Sequence, residues 1–268
     1  MIMDALPIWV LFILTAALVV FAVEIGFLLG KRVLRRSKEE RESPVSAIAG
    51  TILGLQAFML AFTFSIVTNR YDTKKALVRE EANVLRTAWE RSDFLQVPDR
   101  AKTKDLLREY VDDRIAFAKL GDPENAEGAA GDAQLIQHQI WEMAVANARI
   151  DMNSDVGALY VESVNQMADL HALRVNQGLQ SRVPSAIWFV LYALLILGMV
   201  GVGYHTAIAD SRRARLTSIL AVSFSLVIAL IAALDHPLNT FISVSQQPMV
   251  NLQMEMKNTP DPTAVKKP

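Results

Sequence analysis

The sequence predicts an all-α integral membrane protein with four transmembrane helices and a helical aqueous domain inserted between spans 2 and 3. Three observations carry that prediction. The hydrophobic residues, 52% of a 268-residue chain, gather into four runs instead of spreading evenly. Each run is long enough to cross a hydrocarbon core of about 30 Å. Between the second and third runs, apolar residues recur at three- and four-residue steps, and no alternating strand pattern occurs. With 21% charged residues the chain is too polar for spans alone, so one sizeable aqueous domain is implied.

The first span runs from about Leu6 to Gly30, interrupted only by Thr15 and Glu24, with Pro7 suited to a first helical turn. The residues before it lack a basic region, and no small-x-small cleavage site follows, so a retained span is expected. The basic loop KRVLRRSKEERES leads to the second span, about Val45 to Thr68. Its helix does not stop at the membrane. From Ser46 to Leu95 there is no proline and, beyond Gly54, no glycine, which predicts one helix of roughly 75 Å. Its charged half places Val78, Ala82, Leu85 and Trp89 on one face.

A second amphipathic helix follows Pro98 and carries Leu106, Tyr110, Ile115 and Phe117. GDPENAEGAAGD reads as a loop by its glycine, proline and acidic content. AQLIQHQIWEMAVANARI reads as a third helix and Ser154 to Gln180 as a fourth. The third span, about Ile187 to Tyr204, follows Pro184, and the fourth covers about Leu216 to Leu234. The expected domains are therefore residues 1–68 (first transmembrane hairpin), 69–183 (aqueous domain), 184–234 (second hairpin) and 235–268 (tail, beginning compactly and ending in a polar, proline-containing segment expected to be disordered).

Composition limits the chemistry. The net charge of −1 gives no basic bias towards nucleic acid, and the absence of cysteine removes disulfides, thiolate metal sites and a cysteine nucleophile. His138, His171 and His205 lack metal-ligand spacing, and no phosphate loop or serine-nucleophile motif occurs. The reading is of a non-enzyme with no cofactor and no metal.

Several residues in the spans stand out. Glu24 is an intramembrane carboxylate; it pairs with the nearby basic loop, or it serves an ion pathway. Ser46, Gly50, Gly54, Ala57, Ala61 and Ser65 form one stripe about 100° wide on the second span. Such a stripe packs closely against another span of the same chain, or several copies turn it towards a shared axis. Phe58, Phe62 and Phe64 lie in the same helix, where aromatic rings either pack or form a dewetting constriction. Gly26-x-x-x-Gly30 also favours close helix approach. Gln56 and Thr63 are, with the stripe serines, the polar groups available to line a path. Asp235-His236-Pro237 ends the fourth span, as a helix stop or as a proton or cation site.

Charge gives one topology. The two short loops hold nine Lys and Arg, six in 31–41 and three in 212–215, which favours loops in the cytoplasm and the aqueous domain outside. Arg70, Lys74, Lys75 and Arg79 after the second span weigh the other way.

The motifs also form a recognisable set: E-x-G-x-x-x-G ending the first span, AFMLAFTFSIVTNRYDTKKALVREEANVL across the end of the second, and ALDHPLNTFISVS after the fourth. Its most specific parts are Asn69-Arg70-Tyr71, Glu80-Glu81-Ala82-Asn83 and Leu234-Asp235-His236-Pro237. On these the chain resembles, over nearly its whole length, the bestrophin-like family of bacterial membrane proteins. It is more distantly similar to bestrophins, pentameric anion channels that are ligand-gated or constitutive. That resemblance implies a homo-oligomer in the bacterial inner membrane, a pentamer if bestrophin-like. Its partners would be the lipid bilayer and small inorganic ions, with Phe58, Phe62 and the small stripe near the axis. It also implies a cytoplasmic aqueous domain, opposite to the charge bias. The tryptophan-rich stretch that follows the second span in bestrophins is reduced here to Trp89. An acidic calcium clasp is not evident, since Asp112-Asp113 is a lone pair. The other reading is a non-conducting sensor or scaffold whose helical domain binds a partner.

Overall fold

The computed structural model describes residues 7–35, 42–120, 123–177, 182–209, 214–235 and 242–259. Among these the regular structure is helical: α1 (Ile8–Leu34), α2 (Glu42–Arg91), a 3-10 turn at Ser92–Phe94, α3 (Val97–Leu120), α4 (Pro123–Ile150), α5 (Asp155–Val175), α6 (Ser185–Ile208), α7 (Ala214–Asp235) and α8 (Gln247–Asn258). Four of them, α1, α2, α6 and α7, include a stretch long and apolar enough to cross a membrane.

The chain divides into two compact units, each of two segments: Met1–Arg70 with Arg182–His236, and Tyr71–Ser181 with Pro237–Pro268. α2 is an unbroken helix of 50 residues that contributes to both.

In the first unit, α1 buries Leu11, Thr15, Val19, Ala22, Val23, Gly26 and Gly30 along one face. The three- and four-residue steps of that list are the helical period, so one face packs and the others stay apolar for lipid. The crossing of α1 with α6 is close enough to need glycine on both sides. A Cβ on Gly26 would lie 2.0 Å from the Val200 carbonyl oxygen, and one on Gly203 would lie 2.0 Å from that of Val23. Thr15 and Tyr192 hydrogen-bond across the same pair at 3.0 Å. α2 meets α6 on another side, where Gly198 and Gly201 receive Leu53 and Ala49.

The second unit is a helical bundle around one core. Val78, Ala82, Leu85 and Trp89 of α2 are buried as their spacing predicts, together with Leu106, Tyr110 and Ile115 of α3. Ile136 and Ile140 come from α4, Tyr160, Val164 and Met167 from α5. The cap of α5 is Ser154, whose Oγ accepts from the Gly157 amide at 3.1 Å.

One element differs from expectation, and a second is a helix that the sequence reading does not assign. The GDPENAEGAAGD loop is mostly helix, because α4 begins at Pro123. Proline suits a first helical turn, and the segment's alanines are strong helix formers that its glycines do not rule out. In the tail, α8 starts with proline in its first turn and buries Met249, Leu252 and Met256 in the core of the second unit. Its three core positions recur at three- and four-residue steps, but the helix has only 12 residues. The end of the tail, 260–268, lies outside the described residues.

Candidate functional site

α2 presents two unlike faces within the first unit. Its buried face carries Ala49, Gln56, Leu60, Thr63 and Val67. Its exposed face carries Ser46, Gly50, Gly54, Ala57, Phe58, Ala61, Phe62 and Ser65. Among the described residues, the stripe glycines make no close packing against another span: a Cβ on Gly50 or Gly54 would meet nothing within 4 Å. The reason lies in the partner helix. α6 supplies its own glycines at the α2 crossing, so α2 approaches through Ala49 and Leu53 and its small residues stay free.

The rings of Phe58 and Phe62 stack beside the stripe, with centroids 6.4 Å apart and planes at 17°. They are 65% and 58% exposed, and Phe64 is 39% exposed, so none of the three fills the core. Gln56 and Thr63 do not join the exposed face. Both are fully buried; the Thr63 hydroxyl bonds back to the Met59 carbonyl at 2.8 Å, and the Gln56 amide has no hydrogen-bond partner among the described residues. Glu24 lies on the exposed side of α1.

The family-motif residues fall into two groups. Asp235, the last residue of α7, lies 3.5 Å from the Arg70 guanidinium and accepts from the Val183 amide at 3.0 Å. One carboxylate thus ties α2 to the start of α6 at the end of the first unit. Asn69 is exposed and Tyr71 half-buried beside Arg70; His236 and Pro237 lie outside the described residues.

Glu81 belongs to the second unit and is completely buried. It pairs with Arg114 of α3 at 3.3 Å and with Arg174 of α5, and it accepts from the Tyr110 hydroxyl at 3.1 Å. Tyr110 in turn contacts His171 Nδ1 at 3.0 Å. Asn83, two residues on, is exposed; its side chain accepts from Arg86 at 3.5 Å. Burial dominates the electrostatics of the cluster. It pushes the Tyr110 pKa up to about 12, with Arg114 partly opposing it. It lowers Arg174 to about 10 and lowers Arg114 as well.

The sequence points to Glu81 only as part of a motif and misses its partners. Arg114 and Arg174 look like ordinary charges on amphipathic helices, and His171 looks isolated. The one available signal is that Glu81 sits inside the buried run Val78–Ala82–Leu85, where an unpaired carboxylate would be costly.

Four membrane-length helices, with a helical bundle built partly on the continuation of the second, define a multi-pass membrane protein of one recognisable type. The model of the Bestrophin-like domain matches residues 8–249, and the chain belongs to that family. The crystal structure of a point mutant of a bacterial bestrophin homologue from Klebsiella pneumoniae has the same fold. It aligns with a TM-score of 0.57 at 13% identity, over 94% of this chain and 99% of that one. A second crystal structure, of a membrane protein, aligns with a TM-score of 0.57 at 15% identity, over 93% of this chain and 95% of the other. Comparison with curated proteins returns no match.

Proposed function

We propose that this protein is a homo-oligomeric ion channel, an anion channel of bestrophin type in the bacterial inner membrane, with α2 beside the pore. One observation carries the reading. Among the described residues, a Cβ on Gly50 or Gly54 of the small stripe meets nothing and the stacked Phe58 and Phe62 stay exposed, although the opposite face of the same helix buries Ala49, Gln56, Leu60, Thr63 and Val67. Small residues let helices of several copies approach an axis, and the phenylalanine rings would form the constriction at which water is excluded. A pentamer follows from the resemblance to bestrophins. That resemblance favours a cytoplasmic second unit, whereas the loop charges favour the outside. A reporter inserted after Gly121 decides between them and leaves the conduction reading unaffected.

The test is purified protein in liposomes. Chloride flux above empty vesicles is expected, Phe62→Ala changes it, and the detergent-solubilised protein runs as an oligomer. A monomer that passes neither chloride nor small cations sinks the reading. The second reading, a non-conducting sensor or scaffold, draws support from Gln56 and Thr63: both face the core, which leaves only Ser46 and Ser65 as polar residues on the open stripe.

A further inference from the structure

The Glu81 cluster has more structure than an ion pair requires. Tyr110 carries one hydroxyl proton, and a carboxylate only accepts, so that proton is directed at Glu81 Oε1, 3.1 Å away. The tyrosine oxygen is then the acceptor for His171, whose Nδ1 is 3.0 Å away. The neutral imidazole is thereby fixed with its hydrogen on Nδ1 and its lone pair on Nε2. The groups facing it are Glu81 from α2, Tyr110 and Arg114 from α3, and Arg174 from its own helix. Arg174 also reaches the Gln246 side-chain carbonyl at 3.5 Å. One carboxylate thus stands against two guanidiniums, and a proton on His171 would add a further positive charge to an already cationic, buried site.

We propose that the Glu81–Tyr110–His171 chain is an acid-operated latch, in which protonation of His171 parts α5 from α3 within the second unit. Coulomb repulsion between imidazolium and guanidinium is strong where water is excluded, and separating the helices readmits water to all of them. Burial, reinforced by Arg114, holds the His171 pKa down to about 4, against an ordinary value of 6.5. An opened arrangement restores the ordinary value and so binds the proton more tightly. Closure is therefore complete above the ordinary imidazole value. As pH falls from there towards about 4, the ratio of closed to open form drops about tenfold per pH unit. The latch stands independently of conduction, since its readout is a distance between two helices.

The chain contains no cysteine, so spin labels can be placed at will. Glu109→Cys on α3 and Ala172→Cys on α5 occupy exposed positions, and the labelled full-length protein is studied in nanodiscs. A single narrow distance at about pH 7.5 should lengthen or broaden reversibly at about pH 4.5. His171→Asn keeps an N–H donor at the Nδ1 position and does not titrate; in that background the distance should keep its neutral value at both pH values. His171→Gln is the substitute background, read by the same criterion, if the Asn variant alters the neutral distance. An unchanged distance in the labelled wild type overturns the latch, as does an equal change at the same midpoint in the non-titrating background.

Discussion

Glu81 shows how much one side chain can hold. It joins three helices by accepting from Tyr110 and pairing with Arg114 and Arg174 at a site where it is fully buried. Removing its charge leaves two guanidiniums in a dry core with no counterion among the groups described there. Glu81→Gln is expected to cost about 3–5 kcal/mol, the scale of breaking a buried pair from one side. Chemical denaturation of the full chain, followed by the fluorescence of Trp89 and Trp141, measures it. A loss below about 1 kcal/mol would mean that water already reaches the cluster. The carboxylate was legible as a motif residue, but its partners lie 33 and 93 positions further on and share no local pattern with it. Only the tertiary packing of α3 and α5 on α2 brings them together.

The helices were far more legible. Long apolar runs and three- and four-residue spacing mark α1, α2, α6 and α7 and the buried face of α2, because the physics behind them is local. What that local reading could not decide is which small residues pack and which stay open. Gly26 and Gly50 look alike in sequence, yet one meets the Val200 backbone and the other meets nothing within 4 Å. Gly26→Ala would place a methyl group 2.0 Å from a carbonyl oxygen that cannot move without shifting α6. A destabilisation of about 1–3 kcal/mol or more is expected, read as a lower melting temperature and poorer expression. Gly50→Ala and Gly54→Ala, by contrast, should leave the protomer intact or stabilise its helix by up to about 1 kcal/mol each. If the open stripe faces a neighbouring copy, these same changes should weaken the oligomer in native mass spectrometry without unfolding the chain.

At the scale of the whole molecule, the two units are assembled from alternating segments of the chain. The core of the second is completed by Met249, Leu252 and Met256, which follow the second transmembrane hairpin. Arg86 of α2 pairs with Glu255 of α8 at 3.0 Å, so α8 is attached by charge as well as by burial. Leu252→Ala should cost about 2–5 kcal/mol in the second unit. Hydrogen exchange resolved by peptide should report faster exchange in α3, and an unchanged pattern in α1 and α6. The sequence did not mark α8 because a segment of only 12 residues carries too little periodicity to stand out.

The glycine crossing of α1 and α6 has a consequence for how the protein is made. The ribosome delivers α1 first, with Gly26 and Gly30 exposed on it, while Val200 and Tyr204 are still unsynthesised. Between them the whole segment Tyr71–Ser181 must emerge, and that segment in turn lacks α8 until the second transmembrane hairpin has been made. Each unit therefore waits for a segment of its own that is made only after a segment of the other. The notch on α1 is unfilled until α6 has been made, and a nascent chain stalled before α6 would hold neither core in finished form.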